Sequence, residues 1–440
     1  MNLRSNLKSK SVVRAIAVFM TSWAVVVLAV AYGQKFIPLL SEHPSARKGG
    51  IIDGMAAWDG EWFVRIATEG YDYSPTQTSS IVFFPACPLL ARGVMSLTGL
   101  PANVSLVLIS NSFLLAAFVI LDRYMRDRRE VSGGESAIAY TLWAMALFPT
   151  TFYFRMAYTE SLLVFLMILA MYGMRRNWPL GVIALMIGAA TATRSVGVAL
   201  LAPFMVHMWN RSRPEVAGLA DPPAMAEGPS ETQRHLPGGV IPDWRKRVHR
   251  FAVRSILLTP LACWGLVMFV GYQAWAFGDP LVFAKGQAAW HDRSVPESRW
   301  ERALDLITLE PIRAVYTPGS PCYWGNRAPR NDAVLNMNFA NPIFFIGTLV
   351  LVVVGRRKRW LDGPEVALSV LLLAIPYVLQ SNRMGMTSQA RYASVVFPAY
   401  IVMGHLLSGL PKLISAQLLF CSGLLMGAYA ALFSVWYFFF

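Results

Sequence analysis

The chain has 440 residues, of which 55% are apolar and only 15% are charged. Soluble globular chains carry about 45–50% apolar and about 25% charged residues, so this composition excludes an ordinary soluble enzyme and a disordered chain. The net charge is nevertheless +14. Such an excess fits a nucleic-acid partner, anionic lipid, or basic loops on one side of a membrane, and the positions of the charges decide among them.

Long apolar segments divide the sequence into candidate membrane spans. A helix needs about 20 apolar residues to cross the hydrocarbon core, because its backbone polar groups must be satisfied within the segment. The segments that qualify are 12–32, 104–121, 137–154, 256–277, 342–355, 366–379, 393–407 and 413–437. The stretch 161–209 holds three more helices, separated by turns near Arg175 and Arg194. We therefore predict an all-α integral membrane protein with one multi-spanning domain of eleven or twelve helices.

The first apolar segment follows a basic N-terminus, as a secretory signal would. Its apolar run is longer than a signal core, and no small-residue cleavage site follows it. We expect an uncleaved first span.

Segment 82–98 is short and contains Pro85, Pro88, Arg92 and Gly93, so it either crosses the membrane or enters and returns to the same side. Basic clusters occur at residues 4–14, 123–129, 175–176, 211–254 and 356–359. All of them fall on one side if segment 82–98 does not cross. We favour this re-entrant interpretation, which places the N-terminus in the cytoplasm and makes most of the positive charge a topology signal. Nucleic acid is not needed to explain it.

Three hydrophilic segments follow from this topology: outer segments 33–103 and 278–339, and a cytoplasmic segment 210–252 rich in Pro, Gly and charge, which we expect to be flexible. The four cysteines form no Cys-x-x-Cys pair, and the six histidines show no metal-site spacing. No Gly-rich nucleotide loop is present. We therefore expect neither a metal nor a cofactor.

Residues 57–71 in the first outer segment predict an amphipathic helix at the membrane surface. Trp58, Trp62 and Ile66 share one stripe at helical spacing, with Phe63 and Ala67 alongside. A second face carries an i,i+4 ladder of charges, Glu61, Arg65 and Glu69.

Asp59 near the start of this helix has two interpretations. It either caps the helix, or it is a carboxylate at the water–lipid boundary whose basicity is raised by desolvation. The residues alone do not choose between them.

Other polar side chains gather on the same outer face. Glu160 lies at the mouth between two spans, as a capping or snorkelling group or as a ligand contact. Arg194 departs from the positive-inside pattern, and an anionic phosphate would account for it. Gly278-Asp279-Pro280 forms an ordinary turn or part of a site, and an Arg391-Tyr392 pair begins a later span.

The order of these motifs resembles the PIG-V mannosyltransferase family, in a bacterial branch, over roughly residues 50–400. The residues that carry the resemblance are Trp58-Asp59-Gly60, Trp62-Phe63, Gly70-Tyr71, Phe83-Phe84-Pro85 with Pro88-Leu89, Ala157-Tyr158-Thr159-Glu160-Ser161, Ala192-Thr193-Arg194-Ser195 with Gly197, Phe277-Gly278-Asp279-Pro280 and Arg391-Tyr392. That family belongs to the GT-C glycosyltransferases, whose sugar donor is a polyprenyl phosphate.

The resemblance implies inverting transfer of a sugar, usually mannose, from the lipid phosphate to a lipid or glycan acceptor hydroxyl on the non-cytoplasmic face. The essential acidic residue of the first outer loop matches Asp59, which would act as general base. Arg194 and Arg391 would hold the donor phosphate. Glu160 and Asp279 would bind sugar hydroxyls or orient those arginines. Further substrate-binding candidates are Trp58, Glu61, Gln287, His291 and Tyr392.

Two other classes remain open. A flippase of lipid-linked saccharides would share the spans and outer basic residues, but should show polar groups at mid-membrane and internal repeats. A structural scaffold would leave Asp59 and Arg194 unexplained. We expect a multi-pass protein of the bacterial plasma membrane.

Overall fold

The computed structural model describes residues 3–39, 46, 48–128, 134–212, 243–290, 298–326 and 332–437. Within these ranges the regular structure is helical and no strand is present, which confirms the all-α class. The α-helices are α1 (Leu3–Phe36), α2 (Ile51–Met55), α3 (Asp59–Thr68), α4 (Ala86–Thr98), α5 (Ala102–Arg126), α6 (Gly134–Leu147), α7 (Glu160–Arg175), α8 (Leu180–Thr193), α9 (Leu201–Arg211), α10 (Asp243–Ala262), α11 (Trp264–Phe277), α12 (Val282–Gly286), α13 (Arg299–Ile307), α14 (Glu310–Tyr316), α15 (Met337–Arg357), α16 (Gly363–Met384), α17 (Gln389–Ser394), α18 (Phe397–Ser408) and α19 (Lys412–Ser434).

Several helices have the length and composition of membrane spans. Among the described residues, five helices (α1, α5, α15, α16 and α19) are long and apolar enough to cross a bilayer, and the number rises to 7 if each of two bent pairs is one span. Three shorter apolar helices, α4, α8 and α18, accompany them. The chain is thus a multi-pass integral membrane protein, while the number of eleven or twelve spans stays a prediction.

Apolar side chains cover the outside of the bundle as well as its core. Ile256 is 72% exposed and Leu413 is 70% exposed, whereas Val18 and Val26 on the inner face of α1 are fully buried. Large aliphatic residues on an outer surface indicate lipid as the surrounding solvent.

Two predicted spans are bent rather than continuous. Segment 137–154 divides into α6 and a 3-10 segment, Pro149–Arg155, at an angle of 76°. Segment 256–277 belongs to α10 and α11, which meet at 56° just after Pro260. Prolines lack the N–H of the helix ladder, so both bends have a local cause.

The doubtful segment 82–98 forms helix α4, which begins after Pro85 and contacts α3 and α5. Its 13 residues rise about 20 Å, which is short of the roughly 30 Å hydrocarbon core. This length favours the re-entrant interpretation over a twelfth span.

The close approach of α8 and α11 depends on two glycines. A Cβ added to Gly265 would collide with the backbone oxygen of Gly188 and with Ala192, and one added to Gly188 would collide with the Trp264 ring. Small residues at such crossings let helix backbones approach closely in membrane proteins. This crossing fixes the end of α8, where Arg194 follows.

Segment 210–252, predicted to be cytoplasmic and flexible, is partly helical. Helix α9 ends at Arg211 and α10 starts at Asp243, so the last ten residues of segment 210–252 are ordered as an extension of a span. Residues 213–242 lie outside the described ranges. In the second outer segment the described residues form α12, α13 and α14.

Ion pairs join the helices at the end of the bundle opposite the segments predicted to lie outside. Glu365 of α16 accepts from Arg128 and from the hydroxyl of Tyr124. Separately, Glu135 of α6 pairs with Arg14 and Arg126. These contacts lie among the basic clusters expected on the cytoplasmic side.

Candidate active site

Four charged side chains from distant parts of the sequence meet in one place. They are Asp59 at the start of α3, Glu160 at the start of α7, Arg194 immediately after α8, and Arg391 in α17. We call them the charge cluster. Three of the four lie where a helix begins or ends, because helix termini bring polar groups to the edge of an apolar bundle.

Hydrogen bonds connect the charge cluster in a chain. Nη1 of Arg391 donates to Oδ2 of Asp59 at 2.5 Å. Nε of Arg391 and Nη1 of Arg194 both donate to the same oxygen of Glu160, Oε1. Two guanidinium groups and two carboxylates leave the cluster with no net formal charge. Glu160 thus contacts both arginines, and it is a fully buried group rather than a snorkelling one. Its role towards a substrate stays a prediction.

Tyrosine rings enclose the two arginines. The Arg391 guanidinium lies 4.4 Å from the ring centre of Tyr158 and 5.6 Å from that of Tyr153. The Arg194 guanidinium lies 5.1 Å from the ring centre of Tyr392. Aromatic faces attract a cation without neutralising it, so the rings hold the guanidinium planes while leaving their charge available.

The backbone at Trp58 directs Asp59 into the cluster. Trp58 has φ 61° and ψ −124°, angles that residues other than glycine rarely adopt. The turn is held because the N–H of Asp59 donates to the Tyr158 hydroxyl at 3.1 Å and the N–H of Ala157 donates to Met55. No side chain caps α3. The structure thus disfavours the capping interpretation of Asp59, whose carboxylate faces Arg391 instead.

Exposure differs within the charge cluster. The side chains of Glu160 and Arg391 are 0% and 4% exposed, whereas those of Asp59 and Arg194 are 17% and 16% exposed. Burial alone would lower the pKa of the Arg391 guanidinium, but Glu160 and Asp59 outweigh it and raise that pKa, so Arg391 stays charged. Asp59 and Arg194 are therefore the more accessible members of the charge cluster.

A cavity of about 440 Å³ opens beside the cluster, along α3. Trp58 lines it while the next residue, Asp59, pairs with Arg391. Glu61, a predicted substrate-binding residue, also lines it. We call this cavity the α3 cleft.

The predicted residues of the second outer segment do not join the charge cluster. Asp279 pairs with Lys285 and accepts from the N–H of Leu281 at 2.9 Å, so it stabilises its own turn instead of orienting the arginines. Gln287 is half-buried in the short 3-10 turn that follows α12. His291 lies outside the described residues. Their binding of sugar hydroxyls stays a prediction.

The predicted apolar face of α3 is buried in part. The buried residues are Gly60, Phe63, Ile66 and Ala67, where the helix contacts α4 and α5. The position of the helix at the membrane surface stays a prediction. Trp62 is only half-buried. The expected ladder is present in part, since Arg65 pairs with Glu69 at 3.3 Å.

Sequence reasoning overlooks several residues around the site. Hydropathy assigns Tyr153 to a span and gives no sign that it contacts an arginine. In the sequence, Asp53 and Asn103 look like ordinary loop residues. In the structure, the side chain of Asn103 donates to Asp53 at 2.8 Å in the α3 cleft. Trp436 also lines the cleft. Its position at the end of the last apolar segment is indistinguishable from that of an interfacial anchor.

No metal site is evident in the part of the chain that the structure describes: no three His, Cys, Asp or Glu side chains are grouped to hold an ion. A reaction without metal stays a prediction.

Comparison with known proteins supports the family resemblance. Residues 8–212 match the family model described as Mannosyltransferase (PIG-V), which confirms the expected family over that range. A similar relative is GPI alpha-1,6-mannosyltransferase 2 of Cricetulus griseus, 30% identical over 166 residues. That alignment covers 36% of this chain and 32% of the relative, so the chain spans about a third of the length of the curated relative it matches. The bacterial branch stays a prediction.

Proposed function

We propose that this member of the PIG-V mannosyltransferase family transfers mannose from a polyprenyl-phosphate donor to a hydroxyl of a lipid or glycan acceptor. The reaction inverts the configuration at the anomeric carbon and takes place on the non-cytoplasmic face of the bacterial plasma membrane. The observation that carries the proposal is the contact between Asp59 and Arg391, with Arg194 held beside them by Glu160. The match to the family model over residues 8–212 supports the sugar class.

The charge cluster supplies the two groups that such a transfer needs. The acceptor oxygen attacks C1 of the mannosyl group and forms the new C1–O bond, while the bond from C1 to the phosphate oxygen breaks. Its electron pair leaves with the polyprenyl phosphate. A carboxylate oxygen of Asp59 takes the proton of the acceptor hydroxyl, as a general base within hydrogen-bond reach of the nucleophile.

Arg194 and Arg391 offset the charge that develops on the leaving phosphate. Guanidinium groups match phosphate oxygens with paired N–H donors, and fixed donors stabilise a developing anion without reorganisation. Arg391 contacts both Asp59 and Glu160, so it places the base and the phosphate site at a fixed separation. Glu160 acts as a positioning residue for both arginines.

The test is transferase activity of Asp59→Asn, which keeps the size of the side chain and removes the base. Removing a general base costs about 100-fold or more in rate. The purified full chain is given radiolabelled polyprenyl-phosphate mannose and a membrane lipid extract, and label in new products is measured. Asp305→Asn on α13 is the matched control and should retain full activity.

Two results would contradict the proposal, and one would invalidate the assay. Near-normal transfer by a folded Asp59→Asn protein would remove Asp59 as the base. Loss of activity in Asp305→Asn would show that the assay reports general damage. Movement of labelled donor between leaflets without any bond cleavage would identify a flippase.

A further inference from the structure

Arg155 is a cation buried inside the bundle, at the end of the 3-10 segment Pro149–Arg155. It is 1% exposed, and no Asp or Glu pairs with it among the residues that the structure describes. Its guanidinium lies against α1 instead, where it donates to the backbone oxygen of Phe19 at 2.7 Å and to the Ser22 hydroxyl. Both of these residues belong to the apolar part of α1. A cation at such a place is costly and commonly has a functional reason, yet the proposed transfer does not use it.

Neutral groups on two helices hold the guanidinium of Arg155. Its Nη1 donates to Oδ1 of Asn111 on α5 at 2.8 Å. The ring of Phe19 on α1 packs against it, with the ring centre 4.1 Å from Cζ. Nδ2 of Asn111 in turn donates to the backbone oxygen of Arg155 at 3.1 Å. Both the side chain and the backbone of this residue are therefore fixed, and they join α1, α5 and the 3-10 segment.

The chain that follows Arg155 carries contacts of the charge cluster. The hydroxyl of Tyr158 accepts from the N–H of Asp59 at 3.1 Å, and its ring centre lies 4.4 Å from the Arg391 guanidinium. Glu160, two residues later, begins α7. A short stretch of chain thus connects the anchored arginine with three of the four members of the charge cluster.

We infer that Arg155 is a positioning residue for mannosyl transfer, which anchors residues 155–160 to α1 and α5 and thereby fixes the geometry of the charge cluster. This inference rests on the proposed function of that cluster. An apolar side chain fills the same space but donates no hydrogen bonds to two helices at once. Since the cluster is proposed to act in the transition state, loss of the anchor lowers kcat and leaves KM nearly unchanged.

The first test compares Arg155→Met with Arg155→Lys in steady-state kinetics of the purified full chain, with rates referred to folded protein. Arg155→Met should lower kcat about tenfold or more, because a misplacement of about 1 Å can cost about 100-fold, and should change each KM less than about twofold. Arg155→Lys keeps a charged donor and should return kcat to within about threefold of the unaltered protein. Unchanged kcat in a folded Arg155→Met protein, or a loss seen only as a raised KM, would overturn the inference.

Arg128→Met is the matched control, because it makes the same substitution of a buried arginine at the other end of the bundle. Arg128 pairs with Glu365 and donates to the backbone oxygen of Trp360. Its removal leaves a buried carboxylate with less compensation, so it should destabilise the protein and keep kcat within about twofold per folded molecule. An equal fall of kcat in this control would show general damage and refute a specific role of Arg155.

Asn111→Leu serves as a milder variant if Arg155→Met does not fold. It removes the α5 side of the anchor and leaves the contacts with α1. We expect kcat to fall about threefold with KM unchanged. A folded Asn111→Leu protein with unchanged kcat would count against the anchor.

A double variant separates positioning from a purely structural role. Added to Asp59→Asn, Arg155→Met should cost about threefold or less instead of about tenfold, because part of its effect acts through a base that is already absent. A structural loss would multiply in full, and that result would contradict the inference.

The two proposals fail in different ways. Near-normal transfer by Asp59→Asn with slow transfer by Arg155→Met would remove the proposed base and keep the anchor, which would then act through Glu160 and Arg391. Slow transfer by Asp59→Asn with normal transfer by Arg155→Met would keep the proposed function and remove the anchor.

Discussion

Glu160 holds two guanidinium groups on a single carboxylate oxygen. Its other oxygen, Oε2, is buried and accepts no hydrogen bond from the described residues. A buried carboxylate is stabilised by its pairing with cations, and removing one partner of such a pair leaves the others uncompensated. Glu160 thus determines both the stability of this region and the direction of Arg194 and Arg391.

Glu160→Gln is expected to lower stability by about 3 kcal/mol, because two arginines lose the charge that compensates them. We also expect kcat to fall about tenfold or more, since displaced arginines stabilise the leaving phosphate poorly. Thermal unfolding and steady-state kinetics measure the two effects.

Glu135→Gln is the matched control, because Glu135 is also held by two arginines but at the other end of the bundle. This control should keep kcat within about twofold of the unaltered protein, as exposed ion pairs contribute little. If Glu160→Gln lowered stability and left kcat unchanged, its positioning role would be refuted.

The residues of the cluster were predictable one by one, but their contacts were not. Glu160, Arg194 and Arg391 are each marked by their position near the end of an apolar segment, and Asp59 by its place in the predicted amphipathic helix. Glu160 and Arg391 are 231 residues apart, and no local pattern states which outer residues meet across that distance. No sequence feature marks Asp53 and Asn103 as residues of a site, because a polar residue is expected in a loop whether or not it lines a site.

At the scale of helices, apolar length predicted where spans lie and missed where they bend. The segments around Pro149 and Pro260 read as continuous because hydropathy averages over the bend. The apolar face of α3 was predicted in part, since Phe63, Ile66 and Ala67 are buried whereas Trp58 and Trp62 are half-buried. Periodicity identifies an apolar stripe without stating whether protein or lipid covers it.

Gly265→Ala should destabilise the protein by about 1–3 kcal/mol, because the new Cβ collides with the backbone of α8 rather than with a mobile side chain. Gly271→Ala on the same helix has open space around it, and should be neutral or stabilising by up to about 1 kcal/mol because alanine favours helix. Thermal unfolding of the two variants in one detergent is the measurement. Equal melting temperatures would contradict the close crossing of α8 and α11.

At the scale of the whole molecule, the class of protein followed from composition, while orientation depends on whether segment 82–98 crosses. Charge patterns indicate only the side of the membrane on which the basic loops lie. From the sequence alone, segment 82–98 could cross the membrane or return to the same side, because the length of its helix is not known. The charge cluster and the basic loops are placed on opposite sides if α4 returns to the outer face.

Cysteine labelling tests this topology. Gln77→Cys and Lys358→Cys are each introduced into a chain with Cys263 and Cys421 replaced by serine, since Cys87 and Cys322 are buried. The Gln77→Cys variant should react with a membrane-impermeant maleimide in intact spheroplasts, and the Lys358→Cys variant should react only after permeabilisation. Labelling of both variants in intact spheroplasts would mean that segment 82–98 crosses.

The charge cluster also has a consequence for how the protein is made. Its first three members lie within the N-terminal half, whereas Arg391 leaves the ribosome about 200 residues after Arg194, roughly 10–40 s later at about 5–20 residues per second. Until α17 docks, Asp59 and Glu160 share one arginine, and the resulting net negative charge would oppose the lipid phosphate of the proposed donor. Under the proposed function, a partly inserted nascent chain would therefore bind its donor poorly and would become active only once α17 has been synthesised and has docked.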